Sequence, residues 1–219
     1  MKNIVSFSLW GNNTLYLNGA VKNVTAYAEL FPEWKCRFYH DDSVPEDIVQ
    51  QLKNLGAELY KCKPLPDVLG MYWRFLAIDD PTINYCMIRD ADSLPTMREK
   101  YAVNEWIDSG QPFHIMRDNE SHTTAILGGM WGCVSGLIKP SMKEHISSWF
   151  TILKPVQSEQ GKLFHGTDQM FLESIIWPKI KNTHIAHIRP GMPQLVYTGA
   201  EYPFPTEYSK EEGYIGQVR

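Results

Sequence analysis

The feature of the sequence that most constrains its fold is an alternation of two hydrophobic spacings over the first 88 residues. Four short apolar runs have strand character, and apolar residues recur at helical intervals between them, as at Leu17, Ala20, Val21 and Val24. Parallel strands need long crossovers, which helices supply. The β-α-β-α-β-α-β order therefore predicts an α/β fold with a mostly parallel central sheet and helices on both faces.

The first part of the chain has four predicted strands and three predicted helices. The strands are residues 3–9, 35–40, 57–62 and 83–88, and the helices are residues 14–31, 45–55 and 72–78, the second with Ser43 as its N-cap. Beyond them we predict helices at 97–108, 141–153 and 167–177, a strand at 112–116, and a strand or loop at 128–134. The tail after Pro190 has no clear period. We expect one domain, with a nucleotide-binding half at residues 1–92 and a smaller acceptor and sugar half at residues 93–219.

The bulk composition excludes several classes of function. The net charge is −4 and the charges are mixed along the chain, so neither nucleic acid nor a membrane surface is indicated as a partner. No apolar segment is long enough to span a bilayer. With no secretory signal and four widely spaced cysteines, we expect a cytoplasmic protein with reduced thiols.

Two carboxylates, Asp90 and Asp92, follow the predicted strand 83–88 directly. Ligands of open parallel sheets bind beyond the carboxyl ends of the strands, and side chains at i and i+2 of an extended segment point the same way. Hard oxygen ligands suit Mg²⁺ or Mn²⁺, whose open positions phosphate oxygens can fill. The alternative is that both aspartates only form a turn after the strand.

Two chemistries use Asp-x-Asp after a strand. One is haloacid-dehalogenase-like, Mg²⁺-dependent phosphohydrolysis with Asp90 as nucleophile, but that motif usually lies on the first strand, and here 89 residues precede it. The other is sugar transfer from a nucleotide diphosphate sugar, which needs a nucleotide-binding half before the motif and an acceptor half after it. The layout of this chain favours the second chemistry.

Around the acidic pair, an ordered series of motifs carries a family resemblance. It consists of YWRFL (72–76), RDAD (89–92), AVNEW (102–106), FHIMRD (113–118), GGMWG (128–132), HGTDQMFL (165–172) and the ending FP…YIG (204–216). The series resembles small GT-A-type glycosyltransferases, including domains encoded by large algal viruses. The resemblance covers most of the chain, but few residues between Tyr197 and Arg219 are recognisable.

The resemblance implies a GT-A-like, Rossmann-type fold and the transfer of a hexosyl or deoxyhexosyl group. The donor would be a nucleotide diphosphate sugar, with UDP favoured, and the acceptor a hydroxyl of a glycan or glycoprotein. The cofactor would be Mn²⁺ or Mg²⁺. Whether the reaction retains or inverts configuration is left open, because the fold hosts both outcomes.

Within this resemblance, the end of the first strand would hold the nucleoside through Ser6, Ser8 and Trp10, and Tyr16 would stack or contact a phosphate. The alternative is that Trp10 and Tyr16 only pack against other side chains, in the core or at the surface. Arg74 would approach the diphosphate or the sugar, since a planar cationic fork suits phosphate oxygens. Its alternative is a solvated position on a helix.

The metal site implied by the resemblance centres on the acidic pair. Asp92 would ligate the metal directly, Asp90 would bind the ribose or the metal through water, and Ala91 between them would border the donor. His187 would be a third ligand, with His184 competing for that role. Arg89 would add positive charge or pair with a carboxylate.

Three later segments complete the site that the resemblance implies, with Asp118 and Asp168 as its catalytic residues and Gly129 and Trp131 beside the donor. Asp118 would bind sugar hydroxyls, held in place by Arg117, unless the two form a purely structural pair. Gly129 would let the backbone approach the ligand and Trp131 would stack on a sugar ring; the alternatives are a bulge and a core position.

Asp168 follows Thr167 at a predicted helix start, where an acidic residue also complements the helix dipole. In its functional role, Asp168 would deprotonate the acceptor hydroxyl or stabilise positive charge at the anomeric carbon.

Two further classes of function are weaker. A carbohydrate-binding module would use the aromatic residues but would need neither the acidic pair nor a nucleotide site. A zinc hydrolase would need clustered histidines, and the sequence has no H-E-x-x-H spacing, only His114 and His122 on either side of a loop-like segment.

Overall fold

A computed structural model describes residues 1–63, 67–160, 165–192 and 200–218 of the chain. Its central sheet has eight strands within those ranges: β1 Lys2–Leu9, β2 Trp34–His40, β3 Glu58–Lys61, β4 Ile83–Ile88, β5 Phe113–Arg117, β6 Trp131–Val134, β7 His184–Ile188 and β8 Ala200–Pro203. Their order across the sheet is β3-β2-β1-β4-β6-β5-β7-β8. Every pair is parallel except the two that involve β6, so the predicted α/β class with a mostly parallel sheet is confirmed.

The helices of the described residues connect these strands. They are α1 Thr14–Leu30, α2 Glu46–Asn54, α3 Met97–Ser109, α4 Met142–Gln160, α5 Thr167–Phe171 and α6 Trp177–Ile180, with a 3₁₀ helix at Asp67–Asp79 and a π-helical turn at Leu172–Ile176. None of these helices combines the length and the apolar character that a bilayer crossing requires.

The side chains of successive strand residues pack into two hydrophobic cores, one on each face of the sheet. Ile4 of β1 packs with the 3₁₀ helix and α4, whereas Val5 and Phe7 pack with α1 and α2. Because successive side chains of a strand point to opposite faces, the sheet needs helices on both sides to bury them. The predicted two-sided arrangement is therefore confirmed.

Several predicted elements changed type or position. The segment predicted as a helix at 72–78 lies in the 3₁₀ helix, and the segment predicted at 167–177 divides into α5, the π-helical turn and α6. Ser43 does not cap α2: Pro45 holds the N-cap position, and the Ser43 hydroxyl accepts a hydrogen bond from Gly11 N at 2.7 Å.

Two strands, β7 and β8, carry no sequence prediction. In the run from His184 to Ile188 two histidines stand among three apolar residues, three positions apart, which is not the period of a strand. Part of the tail after Pro190, residues 193–199, lies outside the described residues.

Candidate active site

A cavity of about 680 Å³ opens where β1 and β4 end, at the carboxyl edge of the parallel strands. Open α/β sheets place their ligands at this edge. The cavity brings together eight of the residues selected from the sequence: Ser8, Trp10, Tyr16, Arg74, Asp90, Ala91, Gly129 and Asp168. It therefore gathers most of the predicted donor site and one of the two predicted catalytic carboxylates.

Arg74 is the central cation of this cavity. Its Nη1 forms an ion pair with Asp90 Oδ1, and its Nη2 lies 2.7 Å from Asp168 Oδ2. Burial opposes the charge, but the two carboxylates outweigh it, so the pKa of Arg74 is raised. The side chain is 7% exposed, which excludes the solvated position considered as its alternative.

Two serines of β1 fix the backbone that carries Arg74. Ser6 Oγ donates to Arg74 O at 2.7 Å, and Ser8 Oγ accepts from Arg74 N at 2.9 Å. Ser6 is fully buried and does not line the cavity, whereas Ser8 does. Of the two serines predicted to hold the nucleoside, Ser6 thus positions the 3₁₀ helix instead.

The glycine pair Gly128-Gly129 closes one wall against the acidic groups. A Cβ atom on Gly129 would lie 1.9 Å from Asp90 Oδ2, and one on Gly128 would lie 2.8 Å from Asp168 Oδ2. No real side chain tolerates such distances. The glycines thus permit a close backbone approach, as the sequence predicts, but the groups approached are the chain's own carboxylates.

The acidic pair is held in an environment that favours a cation. The side chain of Asp90 is 45% exposed, and Asp92 is half-buried. Burial and the charge of Asp90 raise the pKa of Asp92, and burial, Asp92 and Asp90 raise the pKa of Tyr16. Burial is the largest cause of both shifts, and the negative charge of the acidic pair adds to it.

The donor set fits a hard divalent cation. It consists of carboxylate oxygens, and Mg²⁺ commonly takes only one or two carboxylates and completes its coordination with water and substrate phosphates. In the described part of the chain, no cluster of three or more acidic, histidine or cysteine side chains forms an all-protein cage. Of the acidic pair only Asp90 lines the cavity, so a cation bound there would need further oxygen atoms, from water or a ligand, to complete its coordination.

The main chain of the acidic loop rests on α1. Asn23 Nδ2 donates to Ala91 O at 3.0 Å, and a Cβ atom on Gly19 would lie 2.1 Å from that same oxygen. The sequence analysis missed both residues. A glycine and a buried asparagine four positions apart inside a helix are the signal that could have pointed to such a close helix–loop contact.

Asp118 lies away from the cavity in a fully buried ion pair with Arg98, with Nη2 and Oδ1 3.0 Å apart. Its Oδ2 also accepts from Ile215 N at 3.1 Å. Arg117 pairs with Glu201 at 2.7 Å rather than with Asp118. The structure thus supports the structural alternative for Asp118, with Arg98 in place of Arg117.

His187 and Trp131 are also placed in the interior. His187 Nδ1 lies 2.8 Å from His114 Nε2, and His187 Nε2 lies 3.3 Å from Glu105 Oε2, so both ring nitrogens are engaged away from the acidic pair. Trp131 is fully buried in β6 and packs against Phe75. The structure does not bring either residue to the cavity.

Arg89 takes the second of its two predicted roles. Its Nε lies 2.7 Å from Glu99 Oε1, and its Nη1 donates to the carbonyl oxygens of Ile88 and Trp131. It is 3% exposed and ties the end of β4 to α3 and β6. Arg89 therefore pairs with a carboxylate and does not line the cavity.

Gln169 is a further residue that the sequence analysis missed. Its Oε1 accepts from Gly128 N at 3.0 Å, and its Nε2 donates to Thr124 Oγ1 at 2.8 Å and to Ile126 O. The side chain next to Asp168 thus anchors the glycine wall. The sequence shows Gln169 within the HGTDQM motif. It does not show that Gln169 binds the loop of Thr124, Ile126 and Gly128, which lies more than 40 residues earlier in the chain.

No protein-family model matches this chain, and no curated protein does. Solved structures give remote likenesses. A glycosyltransferase involved in the glycosylation of the major capsid of PBCV-1 is 13% identical, with 86% of this chain and 82% of that chain covered and a TM-score of 0.49. The 4-diphosphocytidyl-2C-methyl-D-erythritol synthase from Anaerococcus prevotii is 9% identical, with 99% and 91% covered and a TM-score of 0.48.

TarS from S. aureus, in complex with UDP-GlcNAc, is 13% identical, with 54% of this chain and 35% of that chain covered and a TM-score of 0.41. These three proteins have different names, and the structure of each is only remotely similar to that of this chain. A fold of this kind hosts several reactions, so function has to be argued from the residues of the cavity.

Proposed function

We propose that this chain is a metal-dependent glycosyltransferase that moves a sugar from a nucleotide diphosphate sugar, with UDP favoured, to a hydroxyl of a glycan or glycoprotein. The observation that carries the proposal is the triad of Asp90, Arg74 and Asp168 on one cavity at the carboxyl edge of the sheet. The triad combines a carboxylate suited to binding a metal (Asp90), a cation held in place (Arg74) and a second carboxylate (Asp168).

The donor half of the reaction is assigned along the sheet edge. Trp10, Tyr16 and Ser8 line the end of the cavity at β1, where they would hold the nucleoside. Asp90 and Asp92 would hold Mn²⁺ or Mg²⁺ beside the diphosphate. When bound there, the metal would supply positive charge that offsets the charge developing on the departing nucleoside diphosphate.

Arg74 would stabilise the same charge without moving. Its backbone is held by Ser6 and Ser8, and its guanidinium already lies between two carboxylates, so it is a preorganised cation in a buried position. Preorganised charge of this kind stabilises a transition state because no reorientation is needed during the reaction.

Asp168 is the proposed acid–base or charge-stabilising residue. Its Oδ2 contacts Arg74 and its Oδ1 accepts from Gln169 N at 2.9 Å, so the carboxylate is fixed at the cavity wall. In an inverting transfer Asp168 would remove the proton of the acceptor hydroxyl. In a retaining transfer it would stabilise positive charge at the anomeric carbon.

Phosphohydrolysis with Asp90 as nucleophile has less support. Asp90 is paired with Arg74, which weakens the carboxylate as a nucleophile, and the motif follows β4 rather than the first strand, where that chemistry usually has it.

Calorimetric titration of UDP, GDP and inorganic phosphate, each with and without Mn²⁺, tests the proposal. We expect binding of UDP that requires Mn²⁺ and is much tighter than binding of phosphate. Absence of nucleotide binding under every condition would overturn the transferase, and hydrolysis of an aryl phosphate with a trappable aspartyl adduct would establish the phosphohydrolase.

A further inference from the structure

His122 lies in the loop between β5 and β6 and lines the cavity while remaining 9% exposed. One side of its ring is held by the main chain, because Nδ1 accepts hydrogen bonds from Asp118 N at 3.0 Å and Asn119 N at 3.1 Å. The ring also meets Tyr214 edge to face, with centroids 5.7 Å apart. The orientation of the imidazole is therefore set by the fold.

These contacts also fix the tautomer. A nitrogen that accepts bonds from two N–H groups must offer its lone pair, so in the neutral ring the proton resides on Nε2. Burial lowers the pKa of His122 to about 4, which keeps the ring neutral near pH 7. His122 is thus a donor at Nε2 and has no free lone pair with which to act as a general base.

No described residue accepts a hydrogen bond from Nε2, and this nitrogen, unlike Nδ1, is not enclosed by the protein. Donors at such poorly exposed positions are nearly always satisfied, by the protein, by water or by a ligand. Because Nδ1 faces the main chain and the residue borders the cavity, a ligand in the cavity is the natural acceptor.

The place of His122 along the sheet edge indicates which part of the ligand it meets. The strand order at this edge is β1, β4, β6, β5, and the proposed donor runs from its nucleoside at β1 to its diphosphate at β4. The loop between β5 and β6 comes next, and its residues Gly128 and Gly129 border Asp90 and Asp168. The group that follows the second phosphate of the donor is the sugar.

We propose that His122 donates a hydrogen bond from Nε2 to a hydroxyl oxygen of the transferred sugar and so positions and selects that sugar. This inference rests on the proposed function. A site built to donate to a hydroxyl discriminates strongly against an analogue that lacks the hydroxyl, because the bound analogue covers the donor and leaves it unpaired. His122 would therefore set donor preference without taking part in proton transfer.

Two substitutions separate the structural side of the ring from the proposed functional side. In His122→Asn, the amide oxygen takes the place of Nδ1 and can still accept from Asp118 N and Asn119 N, but the distal donor is lost. In His122→Gln, an amide NH₂ group reaches the place of Nε2. His145→Asn is the matched control, since His145 lies on α4 and does not line the cavity.

The measurement is calorimetric affinity, with Mn²⁺, for UDP and for UDP-glucose, UDP-galactose and UDP-N-acetylglucosamine. For the sugar nucleotide that the wild type prefers, we expect His122→Asn to lose about tenfold in affinity relative to UDP, consistent with one lost hydrogen bond. Its affinity for UDP and its thermal midpoint should stay close to wild type. His122→Gln should recover part of the loss, and His145→Asn should match wild type throughout.

The outcomes are distinguishable. If His122→Asn leaves the ratio of sugar-nucleotide affinity to UDP affinity unchanged, or weakens both ligands equally, the inference fails while the proposed function stands. If the wild type binds no UDP with Mn²⁺, both fail together. Nitrogen-15 NMR of the wild type supplies an independent check: a proton on Nδ1 at pH 7 would also overturn the inference.

Discussion

The dipeptide Arg-Asp occurs at the ends of two strands on the same edge of the sheet, as Arg89-Asp90 after β4 and as Arg117-Asp118 at β5. The two strands run in the same direction, since each is antiparallel to β6 between them. In both dipeptides the arginine is buried and pairs with a glutamate. The aspartates differ: the Asp90 side chain is 45% exposed and lines the cavity, whereas that of Asp118 is 0% exposed.

What separates the two aspartates is the segment that covers one of them. Residues 200–218 fold over the end of β5, where Ile215 N donates to Asp118, and Arg98 lies both beside Asp118 and over the ring of Phe204. Nothing comparable in the described residues covers Asp90, which faces the cavity. The same residue type at the same kind of strand end is thus structural or available for chemistry according to what packs upon it.

The largest expected effect comes from Asp118→Asn, which leaves the buried charge of Arg98 without its partner. Breaking a buried ion pair in this way costs about 3–5 kcal/mol. Urea unfolding should show a drop of that size in the free energy of unfolding, with a much smaller change for Asp90→Asn. Equal stability of the two variants would remove the distinction drawn between the two aspartates.

The complementary change acts on binding. Asp90→Asn and Asp92→Asn should each fold like wild type and lose Mn²⁺-dependent affinity for UDP by about 100-fold, or ~2.7 kcal/mol. Calorimetry with Mn²⁺ measures this, and circular dichroism confirms the fold. Asp92→Asn that binds UDP and Mn²⁺ normally would contradict the assignment of the acidic pair.

Gly129→Ala tests whether the glycine wall acts through Asp90. Because the added Cβ would lie 1.9 Å from Asp90 Oδ2, the carboxylate must move, and we expect about tenfold weaker Mn²⁺-dependent UDP binding. The double variant with Asp90→Asn should bind no worse than Asp90→Asn alone, since both changes act on one group. Fully additive losses would show that Gly129 acts elsewhere.

Acid should destabilise the side of the sheet around Asp118. Burial lowers the pKa of His114 and of His184, at His184 against hydrogen bonds to the backbone that raise it, and burial lowers that of His122 to about 4. The unfolded chain therefore takes up protons below about pH 6.5 that the folded chain refuses, so the free energy of unfolding falls from pH 7 to pH 5. His122→Asn removes one such group and should show a smaller fall; an unchanged dependence on pH would contradict this account.

The smallest effect is expected from Glu201→Gln. The Glu201 side chain is 28% exposed, whereas Glu99, the partner of Arg89, is 2% exposed. Partly exposed pairs contribute about 1 kcal/mol or less. Glu201→Gln should therefore lower the free energy of unfolding by no more than that amount, and Glu99→Gln should lower it by more. The reverse order would show that exposure does not determine how much each ion pair contributes to stability.

Sequence reasoning predicted the front of the fold well because its signals are local. The strand at 83–88 matches β4 residue for residue, and the alternation of spacings in the first half predicted the parallel sheet. β7 and β8 had no such signal: β7 interrupts its apolar pattern with His184 and His187, and β8 is a strand of four residues. Short or polar strands gain their stability from neighbours that the sequence does not reveal.

For the site, motif position predicted Arg74, Asp90 and Asp168, which the cavity brings together. Asp118 and Trp131 were chosen by the same logic and lie in the interior. The difference depends on contacts between residues far apart in sequence, such as Arg98 with Asp118 and Ile215 with Asp118. Hydrophobic periodicity and local motifs carry no information on such contacts.

Strand β6 runs antiparallel to both of its neighbours, and its direction determines how the loop that forms the cavity wall is connected to the sheet. Since β5 ends and β6 begins at the same edge of the sheet, the connection between Arg117 and Trp131 leaves and returns on one side. Insertions or exchanges between Asn119 and Leu127 alter the lining of the cavity and leave the order of the strands as it is. This part of the cavity lining can therefore diverge while the order of the strands persists.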